Sequence, residues 1–181
     1  MIKEEVAPIF IIGYMACGKT TFGKALAKAK GWDFIDLDFY IEQRFRMPIT
    51  RIFAEKGEGE FRRMESAMLR EVGEFENVVV ACGGGTPCFM GNMEYMNGRG
   101  LTVWLEATVE RTVTRLLVNN SRRPLMAGKS KSEMREAVEK GLAAREQYYS
   151  QAAIRFSGEE LEDRRQISAT VARFLTSDLR P

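Results

Sequence analysis

Gly13, Gly18, Lys19 and Thr20 stand at the spacing G-x-x-x-x-G-K-[ST] inside the stretch GYMACGKTT. A loop of that spacing turns backbone N–H groups toward a phosphate, and the dipole of the helix that follows adds positive potential. The lysine spans phosphate oxygens and the hydroxyl ligates Mg2+. Those two parts fall to Lys19 and Thr20, and Ala16, Cys17, Gly18 and Thr21 complete the cradle. The spacing names a nucleotide and leaves the reaction open. A guanine-reading N/T-K-x-D is absent late in the chain, and no apolar strand ends in Asp-Glu, so a GTPase and a mechanical ATPase both lose ground.

Five further groups could carry chemistry. Asp36 and Asp38 are two apart and, in an extended strand, would share one face at its carboxyl end. One of them would then stand near Mg2+ while the other accepts a substrate hydroxyl; a turn at Asp36 followed by a helix capped by Asp38 fits the spacing as well. Arg62 and Glu65 are three apart on one helical face, where the carboxylate can orient the guanidinium or simply form a surface ion pair. Val138, Leu142, Arg145 and Tyr149 form a stripe at helical spacing, so Arg145 either points into a cleft or snorkels from an apolar face. Gly83-Gly84-Gly85 ends an apolar run and would let a ligand approach the backbone closely. Arg122 and Arg123 could close over transferring phosphate from a lid or remain solvated loop charges.

These groups need elements to hold them. Ile9 to Ile12 is a continuous apolar run ended by Gly13, as a strand buried on both faces requires. Phe22, Ala25, Leu26 and Ala29 recur at helical spacing up to Gly31. The pattern then predicts a strand over Trp32–Ile35, a helix from about Tyr40, helices over Ile49–Val72 interrupted by Gly57 and Gly59, and strands over Asn77–Ala81 and Leu101–Leu105. A helix to about Leu117 precedes a polar, aperiodic excursion, 118–132, expected to be mobile. A helix to about Tyr149, a strand near Ala153–Phe156 and a final helix carrying Ile167, Val171, Phe174 and Leu175 complete the chain. Strands alternating with helices argue for a three-layer α/β/α fold on a parallel sheet.

Composition narrows the classes. With no histidine in 181 residues, Ser-His and Cys-His catalysis are excluded, and acid–base work falls to carboxylates or lysine. Three cysteines, Cys17, Cys82 and Cys88, are an odd number without metal-ligand spacing, so reduced thiols and no zinc site are expected. A net charge of +2 is too small to imply a nucleic-acid or membrane surface. No apolar run has the length of a membrane span and the N-terminus has no cleavage-type segment, which points to the cytoplasm. The length suits one domain, 1–181.

In order and spacing, GYMACGKT, Asp36-Leu37-Asp38, Phe61-Arg62-x-x-Glu65, Gly83-Gly84-Gly85, Arg123-Pro124-Leu125 and Arg145 resemble the shikimate kinase family. The resemblance implies a nucleoside-monophosphate-kinase-like P-loop fold with a five-stranded parallel sheet and a mobile lid. It implies transfer of the γ-phosphoryl of ATP to the 3-hydroxyl of shikimate, with Mg2+, in the pathway to aromatic amino acids. Carried over by motif, Lys19 meets the β/γ-phosphates, Thr20 and (through water) Asp36 serve the metal, and Arg123 reaches ATP from the lid. Asp38 holds substrate hydroxyls and takes the proton, Arg62 and Arg145 clamp the carboxylate, and Gly84, within Gly83–Gly85, donates from its backbone. A monomer acting on these two small molecules, without nucleic acid or membrane, is expected. Family members usually carry Gly at Ala16; if the position needs φ > 0, alanine costs about 1 kcal/mol. Cys17 and Cys82 stand where Ala and Thr or Ser are more usual, and the family's late adenine-contacting segment does not align with Ser157 through Arg165. The alternatives are a gluconate- or nucleotide-type kinase of the same fold, a nucleotide-binding domain with little catalysis, and, more remotely, nucleic-acid binding through scattered Arg pairs.

Overall fold

The computed structural model describes residues 6–118 and 128–177. Arg122, Arg123 and Pro124, and with them most of the expected lid, lie outside the described residues. Five strands form one parallel sheet: β1 (Ile9–Ile12), β2 (Asp33–Asp36), β3 (Val78–Ala81), β4 (Leu101–Glu106) and β5 (Ile154–Ser157). Their order is β2-β3-β1-β4-β5. Ile9 pairs in register with Val79 on one side and Leu101 on the other, so β1 is central and all four of its residues are buried. Its alternate side chains feed opposite faces. Ile9 and Ile11 pack with Phe22, Leu26, Val103, Phe156 and Phe174 beneath α1 (Lys19–Lys30) and α7 (Arg164–Thr176). Phe10 and Ile12 pack with Leu69, Val72, Val80, Met96, Leu116 and Val138 under the remaining helices. These are the three layers expected.

The chain runs from β1 outward to β2, returns through β3, and then crosses to β4 and β5. The strand order therefore reverses at β1, and the crevice beyond the carboxyl ends of β1 and its neighbours is where such sheets take ligands. Among the described residues, the phosphate loop, the end of β2 with Asp36 and Asp38, and the start of the glycine run line it.

Three boundaries differ from expectation. Helix α2 (Leu37–Phe45) starts at Leu37, not near Tyr40, because the Asp36 carboxylate accepts the Phe39 N–H at 3.3 Å and begins the helix directly at the strand end. Helix α3 (Ile49–Gly73) bends once, at Gly57, whose φ of 77° and ψ of 169° are open to glycine alone; Gly59 stays helical. A short helical turn, Thr86–Cys88, and helix α4 (Asn92–Arg99) follow the glycine run, where no element was expected. Its sequence NMEYMNGR is short and weakly periodic, and its place is fixed by tertiary contacts such as Asn92 Nδ2 to the Thr86 carbonyl at 2.9 Å. Helices α5 (Val109–Val118) and α6 (Lys131–Tyr149) bracket the excursion. Ser130 and Glu133 form a reciprocal capping box at the start of α6.

Candidate active site

The phosphate loop joins β1 to α1 in a shape that its sequence alone does not guarantee. Gly18, at the N-terminus of α1, has φ 106°, and Ala16 has φ 61°. Alanine thus occupies the left-handed region, at a cost of about 1–2 kcal/mol, while keeping its backbone N–H. Lys19 folds back on the loop, its Nζ donating to the carbonyls of Gly13 and Tyr14, both at 2.8 Å. Cys17 is buried beneath the loop, with its Sγ 3.8 Å from that same ammonium.

The two aspartates divide by position. Asp36 closes β2 and caps α2 through Oδ1, while its Oδ2 accepts the Thr20 hydroxyl at 2.9 Å. Asp38 sits in the first turn of α2 and does not cap it, so both sequence readings of the pair are corrected: the strand has already ended, and the cap is Asp36. The two carboxylates nonetheless face one cleft. Burial, then the charges of Asp36 and Glu65, push the Asp38 carboxyl up to about 6, against the pull of Lys19. Asp38 is crowded by protein on its inner side yet open to solvent through the cleft mouth. Water there opposes the shift, and a ligand filling the cleft removes that opposition.

Among the described residues, no three His, Cys, Asp or Glu side chains gather to hold a metal ion. The Thr20 hydroxyl and Asp36 carboxylate are hard oxygen donors in contact, which suits Mg2+, a cation that keeps several waters and completes its shell from substrate phosphates. The residues present fit that ion, and only together with a nucleotide.

Beyond Gly83 the site turns cationic. The Arg62 guanidinium donates from Nη1 to Glu65 at 2.9 Å and from Nη2 to Glu58 at 3.0 Å, and it stacks on Phe89 with 4.2 Å to the ring centroid. Glu65 is 1% exposed, and its second oxygen accepts the Thr86 hydroxyl at 2.6 Å. This is an oriented guanidinium and not a surface ion pair. Two glycines of the run, Gly83 and Gly85, have no room for a side chain. A Cβ on Gly85 would stand 2.8 Å from Arg62 Nη2, and one on Gly83 would stand 3.0 Å from Asp38 Oδ1. Arg145, half-buried on α6, donates to the Gly141 carbonyl at 2.8 Å and lies over the Tyr14 ring, 5.5 Å from its centroid. Burial raises the Cys88 thiol pKa, and the charges of Arg145 and then Arg62 act against it, so both guanidiniums approach one spot.

Ala16, Gly18, Lys19, Thr20, Thr21, Asp36, Asp38, Gly83 and Gly84 line a single cleft of about 390 Å³. Cys17 lies under it, Arg62, Gly85 and Arg145 stand beyond the glycine run, and Arg123 is outside the described residues. A larger hollow of about 530 Å³, lined by Trp104, Glu106, Leu142 and Arg155 among others, holds none of these groups, so volume alone does not mark the site.

Arg115, Leu161 and Glu162 line the cleft and escaped sequence reasoning, as did the contact that Tyr149 makes. Arg115 on α5 donates to the carbonyls of Ala16 at 3.3 Å and Cys17 at 3.0 Å, and also to that of Gly158 at 2.8 Å. It thereby ties the phosphate loop to the segment after β5, which brings Leu161 and Glu162 to the cleft. The one signal available was its place three residues after Thr112, beside the buried face of α5. Tyr149, the last residue of the α6 stripe, is fully buried and donates to the Gly84 carbonyl at 2.5 Å.

A family model for shikimate kinase (SKI) matches residues 15–176. A shikimate kinase of Phocaeicola vulgatus is 50% identical over 163 residues, spanning 90% of this chain and 93% of that protein. The crystal structure of shikimate kinase from Bacteroides thetaiotaomicron superimposes with a TM-score of 0.90 at 46% identity, covering 93% of this chain and 96% of that one. The shikimate kinase of Acinetobacter baumannii, solved in complex with shikimate, gives a TM-score of 0.81 at 28% identity over 95% of this chain and 92% of that one.

Proposed function

This chain belongs to the shikimate kinase family, and on that premise we propose that it transfers the γ-phosphoryl group of ATP to the 3-hydroxyl of shikimate, giving shikimate 3-phosphate and ADP. The observation that carries the reading is the meeting of Lys19 and Thr20 with Asp38 in one cleft, at whose end an oriented Arg62 stands behind Gly83-Gly84-Gly85. Phosphoryl transfer needs little covalent help from protein; it needs two substrates held in line and charge stabilised.

In this proposal, the Lys19 ammonium exchanges its two loop carbonyls for β/γ-phosphate oxygens. The loop N–H groups from Ala16 to Thr21 hold the β-phosphate. Thr20 and, through water, Asp36 would hold Mg2+, which would supply positive charge to offset that of the phosphates. Asp38, with a carboxyl titrating near 6, is ionised at neutral pH and still basic enough to take the proton of the attacking hydroxyl. Arg62 and Arg145 hold the substrate carboxylate and the Gly84 N–H orients it, so that the hydroxyl at the other end of the ring meets Asp38. Arg123 reaches the transferring phosphate from a lid at about 118–132. The chain is taken as one catalytic unit, 1–181, acting as a monomer in the cytoplasm on these two small molecules. Among the described residues no helix is long and apolar enough to cross a membrane.

Ala16 does not favour the alternative of a nucleotide-binding domain with little catalysis, since alanine in the left-handed region keeps the loop's shape and its N–H donor. The test is ADP release by purified protein with ATP, Mg2+ and shikimate, beside a Lys19→Ala control. Release equal to the control's would remove the enzyme reading.

A further inference from the structure

Tyr14 follows Gly13 in the phosphate loop and is 6% exposed. Its two ends meet different parts of the site. Its carbonyl accepts the Lys19 ammonium at 2.8 Å. Its ring lies under the Arg145 guanidinium, 5.5 Å from carbon to centroid, and its hydroxyl donates to the Ala137 carbonyl of α6 at 3.4 Å. Helix α6 is shaped to receive that ring. Gly141 lies against it, and a Cβ there would overlap the hydroxyl and come 2.6 Å from ring Cε2. Arg145 closes the group by donating to the carbonyl of that same Gly141 at 2.8 Å.

Filling a gap between loop and helix would require only apolar volume, which leucine supplies. An aromatic ring does more, because its face carries the negative part of a quadrupole and attracts a cation laid over it. A guanidinium held over a ring face, and tied to a backbone carbonyl, loses less freedom when it then meets a carboxylate, since its place is already set. The chain supplies such a ring from the phosphate loop and removes a side chain from α6 to seat it.

We propose that Tyr14 is a positioning residue for the acid end of the substrate, holding the Arg145 guanidinium at the bearing from which it meets the carboxylate. The proposal rests on the reading of Arg145 as a carboxylate-binding residue. Its consequence is that Arg145 is registered to the phosphate loop as well as to its own helix, since the residue under its guanidinium also anchors Lys19.

The test is steady-state kinetics on the full chain for Tyr14→Leu, Tyr14→Phe, Arg145→Ala and the double variant Tyr14→Leu/Arg145→Ala. Tyr14→Leu is expected to raise KM for shikimate ~5-fold, the scale of a partly buried cation–π contact, with kcat and the ATP KM within about twofold. Tyr14→Phe keeps the ring and is expected to stay within about twofold of the parent. In the Arg145→Ala background, Tyr14→Leu should change the shikimate KM no further, because its effect passes through the missing group. Gly141→Ala displaces the ring without removing it and should raise the same KM, which decides the matter if Tyr14→Leu does not fold. A parental shikimate KM in Tyr14→Leu, an equal rise in Tyr14→Phe, or full additivity in the double variant overturns the proposal while leaving Arg145 in place. A parental shikimate KM in Arg145→Ala itself overturns the reading of Arg145, and the proposal with it.

Discussion

Replacing Gly85 by alanine probes Arg62 without touching it. Gly85 has φ −94° and ψ −15°, a conformation alanine adopts freely, so no backbone strain enters. The added Cβ would stand 2.8 Å from Arg62 Nη2 and 2.9 Å from Nη1, whereas ordinary contact begins at 3.4 Å. The guanidinium must therefore withdraw by roughly half an ångström, in a close-packed setting that yields little. It cannot slide freely, being held by Glu65 at 2.9 Å, by Glu58 at 3.0 Å and against Phe89. A hydrogen bond to a charged group contributes about 1.5–3 kcal/mol. Losing one to the substrate carboxylate should raise KM for shikimate roughly 10- to 100-fold, with the ATP KM within about twofold. The fold should tolerate the change, because Gly→Ala at a compatible site gains about 0.4–1 kcal/mol through the unfolded chain, which offsets part of the disturbed ion pair. Tm should then stay within about 3 °C of the parent. Kinetics with each substrate varied in turn, and a thermal melt, read these quantities. Gly59→Ala is the control, since its Cβ would meet nothing within 4 Å. An unchanged shikimate KM in Gly85→Ala, or an equal rise for ATP, would refute the placement of Arg62 at the acid end.

Three other expectations concern the cleft. Because the Asp38 carboxyl sits at about 6 and must be ionised to take a proton, log kcat/KM for shikimate should be flat above that pH and fall with unit slope below it; a profile still flat at pH 5 would contradict the assignment. Ala16→Gly relieves a left-handed alanine at a cost of glycine's greater unfolded freedom, so the melt should rise by up to about 3 °C; a fall would mean that the methyl group matters more than the strain. Thr20→Val removes the hydroxyl now bonded to Asp36 and should raise the half-saturating Mg2+ concentration about tenfold, a scale typical of a lost group in a metal site. An unchanged requirement would place the metal elsewhere.

What was legible in the sequence is what periodicity and short spacing encode. The apolar run Ile9–Ile12, the glycine loop and the helix after it follow from local pattern, as does the Arg62–Glu65 pair three residues apart on one face. The choice between Asp36 and Asp38 as cap was not legible, since either caps a helix equally well and the decision lies in where β2 stops. The raised pKa of Asp38 was equally hidden, because part of its cause is Glu65, which reaches the cleft from α3. Contacts across long stretches of chain were out of reach: Arg115 binds loop carbonyls 99 and 98 residues away, and Tyr14 meets an α6 carbonyl 123 residues away. Sequence spacing marks which residues share an element; it does not say which elements meet.

The central claim is that the cleft selects shikimate, and the most direct measurement is kcat/KM for ADP release across a panel of acceptors. Shikimate, gluconate and a nucleoside monophosphate would each be offered with MgATP, beside Lys19→Ala. The account predicts phosphorylation of shikimate well above the other two, abolished in Lys19→Ala. Turnover of gluconate or the nucleotide equal to or above that of shikimate would contradict it.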